Sequence, residues 1–186
     1  LESINVNVAF VLPTCFGRAD GQAAINLVTG GAGMGDTTLY NYQWSAPNSP
    51  NSIYVNNLAG GQNYSVTVTD LQGCSGVFSF FIDQPPQIVA NKTIENVSCF
   101  GFSDGSAEVL GITGANLPVS YSWSNNMSGT KIENLPAGNY TLTIQDAKGC
   151  IELDTVIVTE PAPLSVAFTV TPLVCSNDSN AIITAS

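Results

Sequence analysis

The chain has 186 residues, 14 acidic against 4 basic side chains and no histidine, for a formal net charge of −10. That length holds one large or two small domains, and 44% hydrophobic residues is the composition of a folded chain. Arg18, Lys92, Lys131 and Lys148 are scattered, so no cationic patch exists to displace counterions from nucleic acid, and the missing histidine removes the commonest general base and transition-metal ligand.

The first residues, "LESINVNVAF", lack the basic stretch, apolar core and cleavage site of a signal peptide, and no apolar run reaches about 18 residues. Both ends read as cuts through a longer protein, with any signal peptide, anchor or sorting domain outside this sequence. From there on, apolar residues mostly recur at every second position, the mark of strands with one buried face. Strands are expected near 4–11, 22–28, 40–45, 52–55, 63–69 and 74–82, then near 88–94, 106–112, 119–124, 130–133, 139–145 and 150–158, with one more near 164–171. No stretch carries a 3.6-residue stripe.

The two groups of strands are two copies of one unit. "CFGRADGQAAI" (15–25) returns as "CFGFSDGSAEV" (99–109), "YNYQWS" (40–45) as "VSYSWS" (119–124), and "NLAGGQNYSVTVTDLQGC" (57–74) as "NLPAGNYTLTIQDAKGC" (134–150). Cysteine to aspartate is constant (15 to 20, 99 to 104), as is tyrosine to the second cysteine (64 to 74, 140 to 150). The extra length of the first copy falls in "TGGAGMGDTTL" and "APNSPNS", Gly-, Pro- and Ser-rich as loops are. A third copy opens at the C-terminal end, since Pro161 stands to Cys175 as Pro85 stands to Cys99. The division is therefore 1–85, 86–161 and 162–186, the last a truncated third repeat.

Six or seven short strands per repeat, separated by turn signals, predict tandem immunoglobulin-like antiparallel β-sandwich domains. Trp44 and Trp123 sit mid-strand, suited to fill the space between two sheets. Tyr64 and Tyr140 follow a glycine-containing corner, where the hydroxyl bonds back to the loop backbone. Tyr40, Tyr42 and Tyr121 lie in phase with the tryptophans, which favours core packing over a sugar-binding platform. The links "DQPPQI" and "TEPAPL" each carry two prolines, predicting stiff connections and an elongated rod.

The five cysteines divide as two, two and one among the repeats. Bonds Cys15–Cys74 and Cys99–Cys150 are expected, each worth roughly 4 kcal/mol on the chain-entropy model, with Cys175 unpaired because its partner lies beyond Ser186. Such bonds imply an oxidising compartment; the rival reading makes the cysteines reduced core residues. A cysteine nucleophile lacks a base, so no catalytic set and no enzyme is expected. Asp20-Gly21 and Asp104-Gly105 read as turns into a strand. Calcium is the functional alternative, with Asp20, Asp70, Asp104, Asp146 and Glu160 as candidate ligands, although no EF-hand-type loop is present. Otherwise no cofactor is expected. Asn-x-Ser/Thr triplets occur at Asn63, Asn91, Asn96, Asn126 and Asn139, and the recurrence at Asn63 and Asn139 follows from the repeated strand rather than from glycan sites.

"CFGxxDGxA", then "YxWS", then "NLxAGxYxxTxxDxxGC" and a closing proline resemble the SprB-type repeat of giant cell-surface adhesins from gliding Bacteroidetes. The resemblance spans both complete repeats and the start of the third, with departures at "AGGQNY" in the first copy and "CSNDSNA" in the third. It implies very large proteins secreted by the type IX system and displayed at the outer membrane, used in attachment or gliding, with internal repeats supplying length and stiffness. Its implied partners are neighbouring repeats of the same chain, with surface polysaccharide or other cell-surface proteins as further candidates. Two other readings stand beside the structural module: repeats that themselves bind a carbohydrate or receptor, and spacers of a secreted multidomain enzyme.

Overall fold

In the computed structural model, residues 3–32, 36–47, 49, 51–171 and 182–185 are described. The chain is all-β, with a short 3-10 turn at Thr37–Leu39 as its only helical element among the described residues. The first repeat forms β1 (Asn5–Val11), β2 (Gly21–Thr29), β3 (Tyr40–Trp44), β4 (Tyr54–Leu58), β5 (Gln62–Asp70) and β6 (Ser75–Ile82). The second forms β7 (Val89–Glu95), β8 (Gly105–Thr113), β9 (Ser120–Trp123), β10 (Lys131–Leu135), β11 (Gly138–Gln145) and β12 (Ile151–Val158). β13 (Phe168–Thr171) and β14 (Ile182–Ala185) pair antiparallel, as β1 and β2 do at the head of the first repeat.

Strand order repeats with the sequence. The first repeat has sheets β1-β2-β4 and β3-β5-β6; the second has β7-β8-β10 and β9-β11-β12. In the first repeat the two sheets share one core. Ala23, Ile25, Val28, Val55 and Leu58 come from one sheet, and Tyr40, Tyr42, Trp44, Val66, Val68 and Ile82 from the other. The alternation in "YNYQW" is what buries β3 on one face, Tyr40, Tyr42 and Trp44 inward and Asn41 and Gln43 outward. The second repeat buries Ala107, Val109, Trp123, Ile132, Leu135, Tyr140, Leu142, Ile144, Val156 and Val158 at the equivalent positions.

The fourth strand of the first repeat runs Tyr54–Leu58 rather than near 52–55. It continues through Asn57 at φ 59°, where the register against β2 slips between Gly21 and Ala23. Asn134, at φ 57°, accompanies the matching slip of β10 against β8. Asparagine tolerates the left-handed backbone that such an irregularity needs, so both strands pass a point where β-branched residues would stop them.

The chain divides into two compact units, Leu1–Asn91 with Leu110–Tyr121 and Thr143–Leu153, and Lys92–Val109 with Ser122–Leu142 and Asp154–Ser186. Neither is coextensive with one sequence repeat. No helix among the described residues is long and apolar enough to cross a membrane.

Candidate functional site

The cysteines pair differently from the sequence expectation. Cys15 and Cys150 form a disulfide with their Cα atoms 5.5 Å apart, while Cys74 and Cys99 are exposed free thiols. This replaces the expected Cys15–Cys74 and Cys99–Cys150 bonds; Cys175 lies outside the described residues.

The reason is the direction of β2. Cys15 lies in the loop ahead of Gly21, at the end where β2 meets Leu58 of β4. Cys74 lies in the β5–β6 turn at the other end, where the Ala32 amide donates to Asp70. A nine-residue strand separates those ends by roughly 27 Å at about 3.3 Å per residue, whereas a disulfide needs Cα atoms about 4.4–6.8 Å apart. The second repeat has the same strand order, with the nine-residue β8 running between the Cys99 loop and the segment that meets Asp146.

Both halves of the bridge rest on preformed loops. In the Cys150 turn, "DAKGC", the buried carboxylate of Asp146 accepts from the Lys148 and Cys150 amides at 2.9 Å each, and from the backbone and side-chain nitrogens of Asn116 at 3.0 and 2.9 Å. The Asn116 side chain foremost, with these backbone amides, outweighs burial and lowers the Asp146 carboxyl to about 2. In the Cys15 loop, Asp20 accepts from the Thr14 hydroxyl and, at 2.9 Å, from the Thr14 amide, which holds its carboxyl below the usual range. Gly17, at φ 71°, turns the loop, and its amide donates to Gln84. Beside the bridge, Phe16, Pro85, Pro86, Ile88 and Gly114 line a hollow of about 20 Å³. That volume holds one water rather than a substrate. Bridge, hollow and both loops lie wholly within the first compact unit.

The same construction occurs at the unbridged cysteines. Asp70, also buried, accepts from the Gln72 and Cys74 amides and the Ala32 amide, all at 2.9 Å. Asp104 accepts from the Ser98 hydroxyl and, at 3.0 Å, the Ser98 amide; Gly101, at φ 77°, donates to Glu160 at 2.7 Å. The sequence signal for this contact is the hydroxyl residue one place ahead of each first cysteine, Thr14 or Ser98, which both copies carry.

The Asp-Gly pairs lead into strands as expected, Gly21 opening β2 and Gly105 opening β8, but the turn itself lies earlier, closed by the Arg18 amide on the Cys15 carbonyl and the Phe102 amide on the Cys99 carbonyl. Within these two cysteine loops the left-handed backbone falls at Gly17 and Gly101, not at Gly21 or Gly105. A Cβ at Gly21 would meet the Leu58 carbonyl oxygen at 2.8 Å, and at Gly105 the Leu135 oxygen at 2.9 Å and the Val158 side chain at 2.7 Å. Glycine is required there because the neighbouring strand passes too close for any side chain.

Trp44 and Trp123 are buried, and their indole N–H groups donate to the Ser52 carbonyl at 2.8 Å and the Gly129 carbonyl at 3.0 Å. Tyr140 donates to the Pro136 carbonyl at 2.9 Å; Tyr64 accepts from the Ala59 amide at 2.9 Å and donates to its carbonyl at 3.2 Å. Each hydroxyl closes the corner leading into its own strand.

The calcium candidates are not brought together. Asp20 and Asp70 stand at opposite ends of β2, and each of the four aspartates is engaged by the amides of its own turn. Glu160 bonds the Cys99 loop. Among the described residues no group of three His, Cys, Asp or Glu side chains is placed to hold a metal ion.

Comparison with known families bears on the segment from β7 through β9. Residues 91–128 match the SprB repeat family. The matched span contains "CFGFSDGSAEV" and "YSWS", two of the stretches that carry the resemblance, and their twins around Cys15 and Trp44 repeat them at the same places. No curated protein matches the chain.

Proposed function

We propose that the chain is a structural segment of a large filamentous cell-surface adhesin that serves attachment or gliding. Its modules are 1–85, 86–161 and the opening of a third at 162–186. The observation that carries this is the strand order, given twice, in a chain whose residues 91–128, within the second copy, match the SprB repeat. The immunoglobulin-like part of the reading is supported by sheets made, in chain order, of first, second and fourth strands and of third, fifth and sixth strands, an arrangement that pattern would give with one edge strand omitted. A disulfide fits an oxidising location outside the cell.

On this reading the segment is not an enzyme and needs no cofactor. Support comes from the absence of histidine in the sequence and from aspartates already engaged by backbone amides. Its first partners are neighbouring repeats, and export would proceed through the type IX system by regions outside this segment. Antibody raised against the chain should label intact, unpermeabilised cells of the source organism; labelling only after permeabilisation overturns the proposal. Small-angle scattering of the chain should give an elongated profile, and a compact one removes the rod.

One observation favours the binding reading. Tyr54, 54% exposed, lines with Tyr64, Asn56 and Asn57 an open hollow of about 410 Å³. An aromatic face beside amide side chains suits a sugar ring. Glycan-array binding abolished by Tyr54→Ala would establish it, and binding unchanged by that substitution would exclude this hollow.

A further inference from the structure

The bridge joins the first cysteine of one repeat, Cys15, to the second cysteine of the next, Cys150. Among the described residues the two free cysteines are one of each kind. Cys99 occupies in its repeat the place of Cys15, and Cys74 the place of Cys150, and both are exposed. We propose that Cys15–Cys150 is a repeat-to-repeat joint, and that Cys99 makes the same joint with the Asp-x-x-Gly-Cys turn of another repeat, supplied here by the Cys74 turn of a second copy of this chain.

Three observations carry this beyond the presence of two thiols. First, the two free cysteines sit on loops already built like those of the bridged pair. Ser98 and Asp104 reproduce Thr14 and Asp20, and the Asp70 carboxylate holds the Cys74 amide as Asp146 holds that of Cys150. No refolding is needed to present either sulfur. Second, Phe16, Pro85, Pro86 and Ile88 flank the existing bridge, and the corresponding stretch remains open beside Cys99, with Phe100 for Phe16, Pro161 for Pro85, Ala162 for Pro86 and Leu164 for Ile88. Phe100, Pro161, Pro163 and Leu164 line an apolar hollow of about 480 Å³, with Phe100 54% exposed and Leu164 fully so. Third, the facing turn carries an apolar group for that hollow, since Leu71 in "DLQGC" is 70% exposed. A joint of unlike ends is heterologous, so it propagates along a series of repeats instead of closing a symmetric pair.

The chemistry is thiol–disulfide exchange with a low-molecular-weight disulfide such as oxidised glutathione. The Cys99 thiolate attacks it, releasing one reduced thiol and leaving a mixed disulfide. The Cys74 thiolate of the second molecule then displaces the other half. Two protein thiols are oxidised and two small thiols are formed. The inference stands apart from the cell-surface proposal, because it concerns which sulfurs pair once an oxidant is present.

The test uses the full chain carrying Cys175→Ala, with Cys74→Ala and Cys99→Ala introduced separately. Each variant is held alone and mixed with the other in glutathione buffer at about 1 mM, the effective concentration a short linker supplies, and read by non-reducing gel and by peptide mass spectrometry. The mixture should form dimers carrying a Cys74–Cys99 peptide, about tenfold or more over the homodimers of either variant alone, since a preformed complementary joint outcompetes random thiol collision. Both variants should retain the Cys15–Cys150 peptide. A mixture that stays monomeric, homodimers as abundant as heterodimers, or exchange of Cys15 onto Cys74 would each overturn the proposal.

Discussion

The turns at Asp70 and Asp146 are two castings of one device, and only the second carries a disulfide. Each ends in Gly-Cys, each buries a carboxylate that accepts the amides two and four residues on, and each takes a further amide from the segment after the second strand of its repeat. Asp146 adds the Asn116 side chain, where the first repeat has only the Ala32 amide. Cys150 is bridged and Cys74 is free, yet the backbone around them is the same. The carboxylate therefore shapes the turn, and the disulfide is laid on a turn that exists without it.

Substitution of the carboxylates puts this comparison under the greatest load. Asp146→Ala strands several amide donors and should cost about 3 kcal/mol, and Asp70→Ala about 2 kcal/mol, the smaller value reflecting the missing side-chain donor. Hydrogen exchange at the amides of Cys150 and Cys74 reads each turn separately. A neutral Asp70→Ala would break the parallel.

Acid tests the same groups together. The carboxyls of Asp20, Asp70, Asp104 and Asp146 are all held below the ordinary aspartate range by the hydrogen bonds they accept, Asp146 at about 2. A folded-state value below the unfolded one stabilises at pH above the unfolded value. Stability should thus be level above about pH 5, then fall as pH drops from about 4 towards 2. Chemical denaturation across that range checks it, and a flat profile would show that these carboxylates contribute nothing net.

Tyr140→Phe and Tyr64→Phe remove the hydroxyl alone and should each cost about 1 kcal/mol, with Tyr64 the larger because it both accepts and donates. The smallest effect belongs to the bridge. Replacing Cys15 and Cys150 together by serine should change exchange protection at the Lys148 and Cys150 amides by less than about 1 kcal/mol, since Asp146 still holds them. A larger loss would mean that the bonded turn depends on its disulfide where the free one does not.

Much of the architecture was legible because strand periodicity is local. "YNYQW" declares its buried face through alternation alone, and the two copies of each motif mark where equivalent strands recur. The Asp-Gly pairs marked the strand entries, at Gly21 and Gly105, without showing why glycine is needed there. Dipeptide chemistry points to a turn, but the constraint at Gly21 and Gly105 comes from the carbonyls of Leu58 and Leu135 on another strand. The expected cysteine pairing was overturned by a constraint of the same long-range kind. Sequence spacing counts residues between cysteines and says nothing about which end of a nine-residue strand each one occupies.

By itself, the sequence determined the all-β class, the repeat, the inward face of its strands and the resemblance to the SprB repeat, because each of these depends on residues near one another in the chain or on their recurrence. Tertiary structure alone decided that Cys15 meets Cys150. A disulfide forms between sulfurs brought within a few ångströms, and strand direction places Cys15 and Cys74 at opposite ends of the first repeat, out of reach of each other.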